Sequence, residues 1–340
     1  MQINRKLLLD TLGFVRSGLE PRGIIEQTDS FIFMGGRVVT YSDEISVSAP
    51  LPLDIRGAVS AKQIYALLGK TVGMDLDITT DGSELVVTSN TGMIARVGIS
   101  HEILVPIDML PTAEDNLWVP LDEGFNEKLR FCLQTVRTDY HKERLRSIHW
   151  RRNIIESSDN MRITQCTTNT FLPDGIEVLL EGTSVSELVK LDPAFFQRAN
   201  GWMHFKTRDA VIFSCRSSEA PYPDIDTAVQ SESSTPIKFS PRLPKILDRA
   251  MTFAERDSVN HYFVKVSIED SRLIVRAGQD FRQFEESCGV HCQGDFEFAI
   301  NPEFLKKMLK EEARVSIIET TAGAMLLKLD RDGFSRFMAL

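Results

Sequence analysis

The stretch Pro241-Arg242-Leu243-Pro244-Lys245-Ile246-Leu247-Asp248-Arg249-Ala250-Met251-Thr252-Phe253-Ala254-Glu255-Arg256 reads as an amphipathic helix whose charge is sorted by side. Leu243, Ile246, Leu247, Ala250 and Met251 recur at steps of three and four and form an apolar stripe. Arg242, Lys245, Arg249, Thr252 and Arg256 recur at the same steps on another face, while Asp248 and Glu255 fall off that row. Such a helix buries its stripe against a neighbour. Two earlier segments, 5–17 and 126–139, open with the same kind of pattern.

The three openings, at Arg5, Asn126 and Pro241, stand 121 and 115 residues apart. A period that long excludes a short-repeat solenoid and has the size of a domain. Each opening is followed by a second, shorter helix pattern, at 60–70, 184–191 and 301–313. Ser60, Thr183 or Ser184, and Asn301 ahead of Pro302 are the expected caps. After each comes a hairpin pattern, 84–97, 202–213 and 315–327, turning at Asn-Thr-Gly, Thr-Arg-Asp and Ala-Gly. Further strand patterns at 30–34, 36–41, 44–48, 262–268 and 273–277 fill the space between helices. The spacing predicts an α+β chain of three repeated domains, 1–112, 113–229 and 230–340, each with two helices packed on antiparallel sheet. The proline-bearing segment 101–121 and the segment 220–236, with its polar run Gln230-Ser231-Glu232-Ser233-Ser234, read as connections.

At 340 residues, 42% hydrophobic and 26% charged, the chain has the make-up of a globular protein of two or three domains. Its apolar runs are far short of the ~20 residues that cross a bilayer. Asp10 interrupts the N-terminal apolar run where a signal peptide would continue it, so the expected location is the cytoplasm. Cys132, Cys166, Cys215, Cys288 and Cys292 are odd in number and scattered, which argues for reduced thiols. A net charge of −9 weighs against ordinary nucleic-acid binding, so the placement of the positive charges matters more than their sum.

That placement recurs. In 301–312, Phe304, Leu305, Met308 and Leu309 oppose Lys306, Lys307 and Lys310; in 60–70, Ile64, Leu67 and Leu68 oppose Lys62 and Lys70. The middle segment is basic without a clean stripe, through Lys128, Arg130, Arg137, Lys142, Arg144 and Arg146. Exposed helix faces are commonly rich in Lys and Arg, but recurrence on equivalent helices of an acidic chain points to a phosphate backbone held without reading its sequence.

Catalytic signatures are weak. Cys288-Gly289-Val290-His291-Cys292 is the best metal pattern, and it offers three crowded ligands with no second pair at zinc spacing. His141 beside Asp139 and Glu143 sits in a basic segment, His101, His149, His204 and His261 are dispersed, and Gly35-Gly36 and Gly182 form no phosphate loop. The expectation is a protein that is not an enzyme, without catalytic residues, metal or cofactor.

Three short pieces, in register with the repeat, resemble the sliding clamp (beta subunit) of bacterial replicative DNA polymerases. They are Met1-Gln2-Ile3 running into the Arg5-Lys6-Leu7-Leu8-Leu9 helix, Pro221-Tyr222-Pro223-Asp224, and the C-terminal Phe337-Met338-Ala339-Leu340. The resemblance implies a DNA clamp fold and a processivity factor: a head-to-tail homodimeric ring around double-stranded DNA that tethers DNA polymerase and takes a clamp loader. It implies a DNA-facing set of Arg22, Lys62, Lys70, Lys128, Arg137, Arg242, Lys245, Arg249, Lys306, Lys307 and Lys310. It also implies a partner-peptide pocket walled by Cys166, Phe171, Val229, Phe334, Met338 and Leu340, and a dimer interface pairing Val97 with Phe253. Where the family's pocket loop reads Thr-Asp-Gly-His-Arg-Leu, this chain has Cys166-Thr167-Thr168-Asn169-Thr170-Phe171, the mark of a divergent, phage-encoded member. The competing reading is a non-encircling scaffold of the same fold for a viral polymerase or transcription factor.

Overall fold

The computed structural model describes residues 1–112, 116–137, 142–218, 220–256, 262–279, 281–311 and 313–340. Asp139, His141 and His261, and the domain boundary expected at Ala113, lie outside the described residues, as do the side chains of Glu255 and Arg256.

The elements follow one order three times. The first pass runs β1 (Gln2–Asn4), α1 (Arg5–Val15), β2 (Ser30–Met34), β3 (Arg37–Tyr41), β4 (Ile45–Pro50) and β5 (Arg56–Ser60), then α2 (Ala61–Lys70), β6 (Asp75–Asp81), β7 (Glu84–Ser89) and β8 (Ile94–Ser100). The second runs β9 (Val119–Pro120), α3 (Phe125–Leu133), a short α4 (Glu143–Arg146), β10 (Ser147–Arg151), β11 (Ile154–Ser158), β12 (Arg162–Thr167) and β13 (Glu177–Glu181). It ends with α5 (Gly182–Leu188), β14 (Phe195–Ala199), β15 (Trp202–Lys206) and β16 (Ile212–Ser218). After α6 (Ile225–Val229), the third runs β17 (Ser231–Phe239), α7 (Leu243–Ala250), a short β18 (Glu255–Arg256), β19 (Tyr262–Glu269), β20 (Arg272–Ala277), β21 (Phe284–Cys292) and β22 (Phe296–Ile300). It closes with α8 (Pro302–Met308), β23 (Arg314–Thr320), β24 (Met325–Arg331) and β25 (Phe334–Ala339).

The strand pairings among the described residues are antiparallel and fall into two compact units. In the first (1–133, 147–153 and 169–220), one ribbon runs β1-β6-β7-β8-β5-β2-β3-β4-β16-β15-β14-β9, and β13 and β10 attach at β16. In the second (134–146, 154–168 and 221–340), the ribbon runs β22-β19-β20-β21-β17-β23-β24-β25-β12-β11.

Local chemistry sets the helix starts. The Asn4 side chain accepts from the Lys6 and Leu7 amides at 3.0 and 3.3 Å, and Asn301 accepts from Glu303 and Phe304 at 2.9 and 3.2 Å ahead of Pro302. Ser60 stands at the N-cap of α2 but makes no side-chain cap bond, and α5 starts at Gly182, after Glu181. The helices are shorter than the apolar periodicity suggests. α3 stops at Leu133, two residues before Thr135 turns its hydroxyl inward to Thr164, and α7 stops at Ala250. The polar run at 230–234 is not a connection: from Ser231 it forms the exposed half of β17, paired with β23.

The core of the second unit is the α7 stripe, Leu243, Ile246, Leu247 and Ala250, packed with Val264, Val266 and Leu327. Each fully buried Leu or Ile of that stripe stabilises by ~1.5–3 kcal/mol. Two buried arginines of this unit are paired. Arg162 bonds Asp159 at 2.7 Å and lies 3.7 Å over the Phe304 ring. Arg336, 3% exposed, pairs with Glu311 and donates to Gln134 at 2.9 Å and to Thr164. In the first unit, Gly57 (φ 149°) leaves room for Ile99, whose side chain lies 2.6 Å from where a Cβ would stand, at the point where β5 meets β8.

Candidate nucleic-acid interface

In each pass the two main helices pack against each other: α1 on α2, α3 on α5 and α7 on α8. The apolar stripe of each goes inward, so the opposite faces are what remain to meet a ligand.

On α2, Lys62 and Lys70 are exposed and Ile64 and Leu68 buried, as the wheel predicts. Lys245, Lys307 and Lys310 are exposed in the second unit, and Arg22 in the first. The other five positions are less available. Arg249 forms a two-pronged pair with Glu286 of β21, 2.9 and 2.7 Å, and Arg242 approaches the same carboxylate at 3.7 Å. Lys306 of α8 is paired with Asp248 of α7. Arg137 is half-buried beyond the end of α3.

Lys128 departs from its predicted role altogether. Its side chain is 11% exposed and its ammonium is ion-paired with Asp122, because α3 begins at Phe125 and turns positions 125, 126, 128 and 129 inward. Asp122 in turn accepts from the Thr170 hydroxyl at 3.0 Å and the Asn169 amide at 3.2 Å. The first helix pair is not uniformly basic either, since α1 exposes Leu7, Asp10 and Phe14. Glu286 and Asp122 went unseen in the sequence. They lie 37 and 6 residues from the cations they meet, and no local pattern links them.

The expected pocket residues divide between the two units. Phe171 is 65% exposed in the first. In the second, Cys166 and Phe334 are register partners on β12 and β25, both buried; Met338 is a core residue at 2% exposure, and Val229 and Leu340 are half-buried. Of the expected interface pair, Val97 is 8% exposed and turned into its own sheet, whereas Phe253 stacks on Phe284 at 5.7 Å.

The thiol pattern of β21 does not converge on a metal. Alternation places Cys288 and Cys292 on one face, ~13 Å apart at the ~3.3 Å strand rise, with His291 on the other. Burial raises the pKa of both thiols and pushes that of Cys215 up to about 12.

Across its whole length the chain superposes on solved bacterial structures. A DNA polymerase sliding clamp from Pseudomonas aeruginosa matches with TM-score 0.80 at 14% identity, covering 100% of this chain and 98% of that one. The chain shares the sliding-clamp fold. A sliding clamp from Bacillus subtilis matches at TM-score 0.79 and 15% identity over 99% and 97% of the two chains. The DNA polymerase III beta subunit of Thermotoga maritima gives 0.76 and 18% over 99% and 98%. No protein-family model and no curated relative matches the sequence. Within this fold, the exposed cations of α2, α7 and α8 are the candidate interface.

Proposed function

We propose that this chain is a DNA sliding clamp that encircles duplex DNA as a head-to-tail dimer and tethers a DNA polymerase, with a clamp loader to open it. The full-length likeness to the Pseudomonas aeruginosa clamp carries the reading, since it spans the whole of the given chain at TM-score 0.80. The threefold element order supports three clamp domains, 1–112, 113–229 and 230–340. Lys62, Lys70, Lys245, Lys307 and Lys310, exposed and without protein partners among the described residues, supply the phosphate contacts, joined by Arg22.

The physics of a ring makes few contacts an advantage. A closed ring cannot leave by ordinary dissociation, and tight phosphate contacts would slow its sliding. A chain of net charge −9 repels DNA from its other surfaces, which favours the lined passage.

The competing reading is a non-encircling scaffold of the same fold, and the neutralised cations Arg249 and Lys306 speak for it. One experiment separates the two. The purified protein, loaded onto nicked circular DNA, is expected to remain bound through a high-salt wash and to be released when the circle is linearised. Equal retention on both forms, or a monomeric mass at micromolar concentration, would remove the ring and leave the scaffold.

A further inference from the structure

The second unit carries a groove that the clamp reading does not use. Its cavity, about 940 Å³, lies where β17 changes partners. Up to Pro236, β17 pairs with β23, and from Ile237 it pairs with β21. Pro236 has no amide hydrogen to continue the ladder. β23 begins at Arg314, two residues before its last β17 pair at Ser316, and Arg314 and Val315 are paired only on their β24 side. The result is a fork between two strands with β17 as its floor.

The fork is positive in an acidic protein. Lys238, Arg314, Lys328 and His291 line it against a single carboxylate, Asp330, while Ile237, Val315 and Cys292 give an apolar floor. Lys328 is committed to Asp330 at 3.0 Å. The Lys238 ammonium and the Arg314 guanidinium, both exposed, make no hydrogen bond to the described residues. Burial opposes ionisation of Asp330, but hydrogen bonds from Ser335 and Lys328 and the charges of Lys328 and Arg314 outweigh it, so its pKa is lowered and the carboxylate stays charged. Asp330 thus faces both Lys328 and Arg314, its register partner across β23 and β24, and three cations meet one carboxylate, with Lys238 beside none among the described residues.

We infer that this fork is a docking groove for an acidic, extended peptide segment of a partner protein, added as a strand beside Arg314 and Val315. The volume exceeds what a compact anion fills, and its two walls are strands, which suits main-chain pairing with alternate side chains on the floor. Acidic side chains meet Lys238 and Arg314, and apolar ones cover Ile237 and Val315.

The test uses the full chain and a fluorescein-labelled decapeptide alternating glutamate with leucine, followed by fluorescence anisotropy. Saturable binding with Kd between about 1 µM and 1 mM is expected, and a loss of at least tenfold in the Lys238→Glu/Arg314→Glu variant. The Lys238→Gln/Arg314→Gln variant, with its melting point checked, repeats the measurement with a smaller surface change and should lose affinity in the same direction. The same decapeptide with lysine for glutamate should not bind. Equal binding of both peptides, unchanged affinity in both double variants, or displacement of the acidic peptide by a short DNA duplex would overturn the assignment.

Discussion

Lys128 shows how far one side chain can depart from a helical wheel. Its sequence neighbours mark it as one of several cations on an opening helix, yet its ammonium sits against Asp122, the carboxylate that also receives Thr170 and Asn169. It therefore holds the 169–171 loop, and with it the exposed Phe171, in place instead of meeting a phosphate. Removing one partner of a buried pair leaves the other uncompensated, at a cost of roughly 3–5 kcal/mol. Lys128→Met should lower the unfolding free energy by about that much in a denaturant melt. Lys245→Met, at an exposed and unpartnered position, should stay within about 0.5 kcal/mol of the parent. Similar losses for both substitutions would return Lys128 to the surface.

At the scale of single elements, β8 leaves part of one edge open among the described residues. It pairs with β7 through Ile94–Gly98 and with β5 only at Ile99 and Ser100, so its middle has one bare edge. The Ile99 amide donates to Ser83 at 2.9 Å, on the β7 side. By alternation the amides of Arg96 and Gly98 point outward. This edge, and not the buried Val97 side chain, is what a second copy can pair with. Arg96→Pro removes one outward donor and an exposed ion pair with Glu84, a solvent-screened contact that contributes little to stability. If the dimer forms along β8, the variant should fold and run at monomer mass in analytical ultracentrifugation. A variant that stays dimeric would move the interface elsewhere. The hairpin of β7 and β8 was readable in advance from β-branched residues around Asn-Thr-Gly; the bare edge was not, because it depends on where β5 stops.

For the molecule as a whole, the threefold order of helices and hairpins was legible because it rests on local periodicity, and apolar residues such as Leu243, Ile246 and Leu247 lie where that periodicity puts them. The charged interface was legible only in part. Which cations are free depends on carboxylates brought in by the sheet, and Glu286 reaches Arg249 from a strand 37 residues further along the chain. That contact decides the behaviour of the proposed ring toward DNA. With Arg249 held by Glu286 and Lys306 by Asp248, few cations are available to displace counterions, so unloaded protein should bind linear duplex weakly and with a shallow salt dependence. Glu286→Gln frees Arg249 and Arg242 without adding bulk. The slope of log K against log salt should then steepen by up to about 0.9 for each phosphate newly engaged, with tighter binding at low salt. An unchanged slope would mean that the α7 face does not meet DNA, and the interface would have to be sought on α2 and around Lys307 and Lys310 alone.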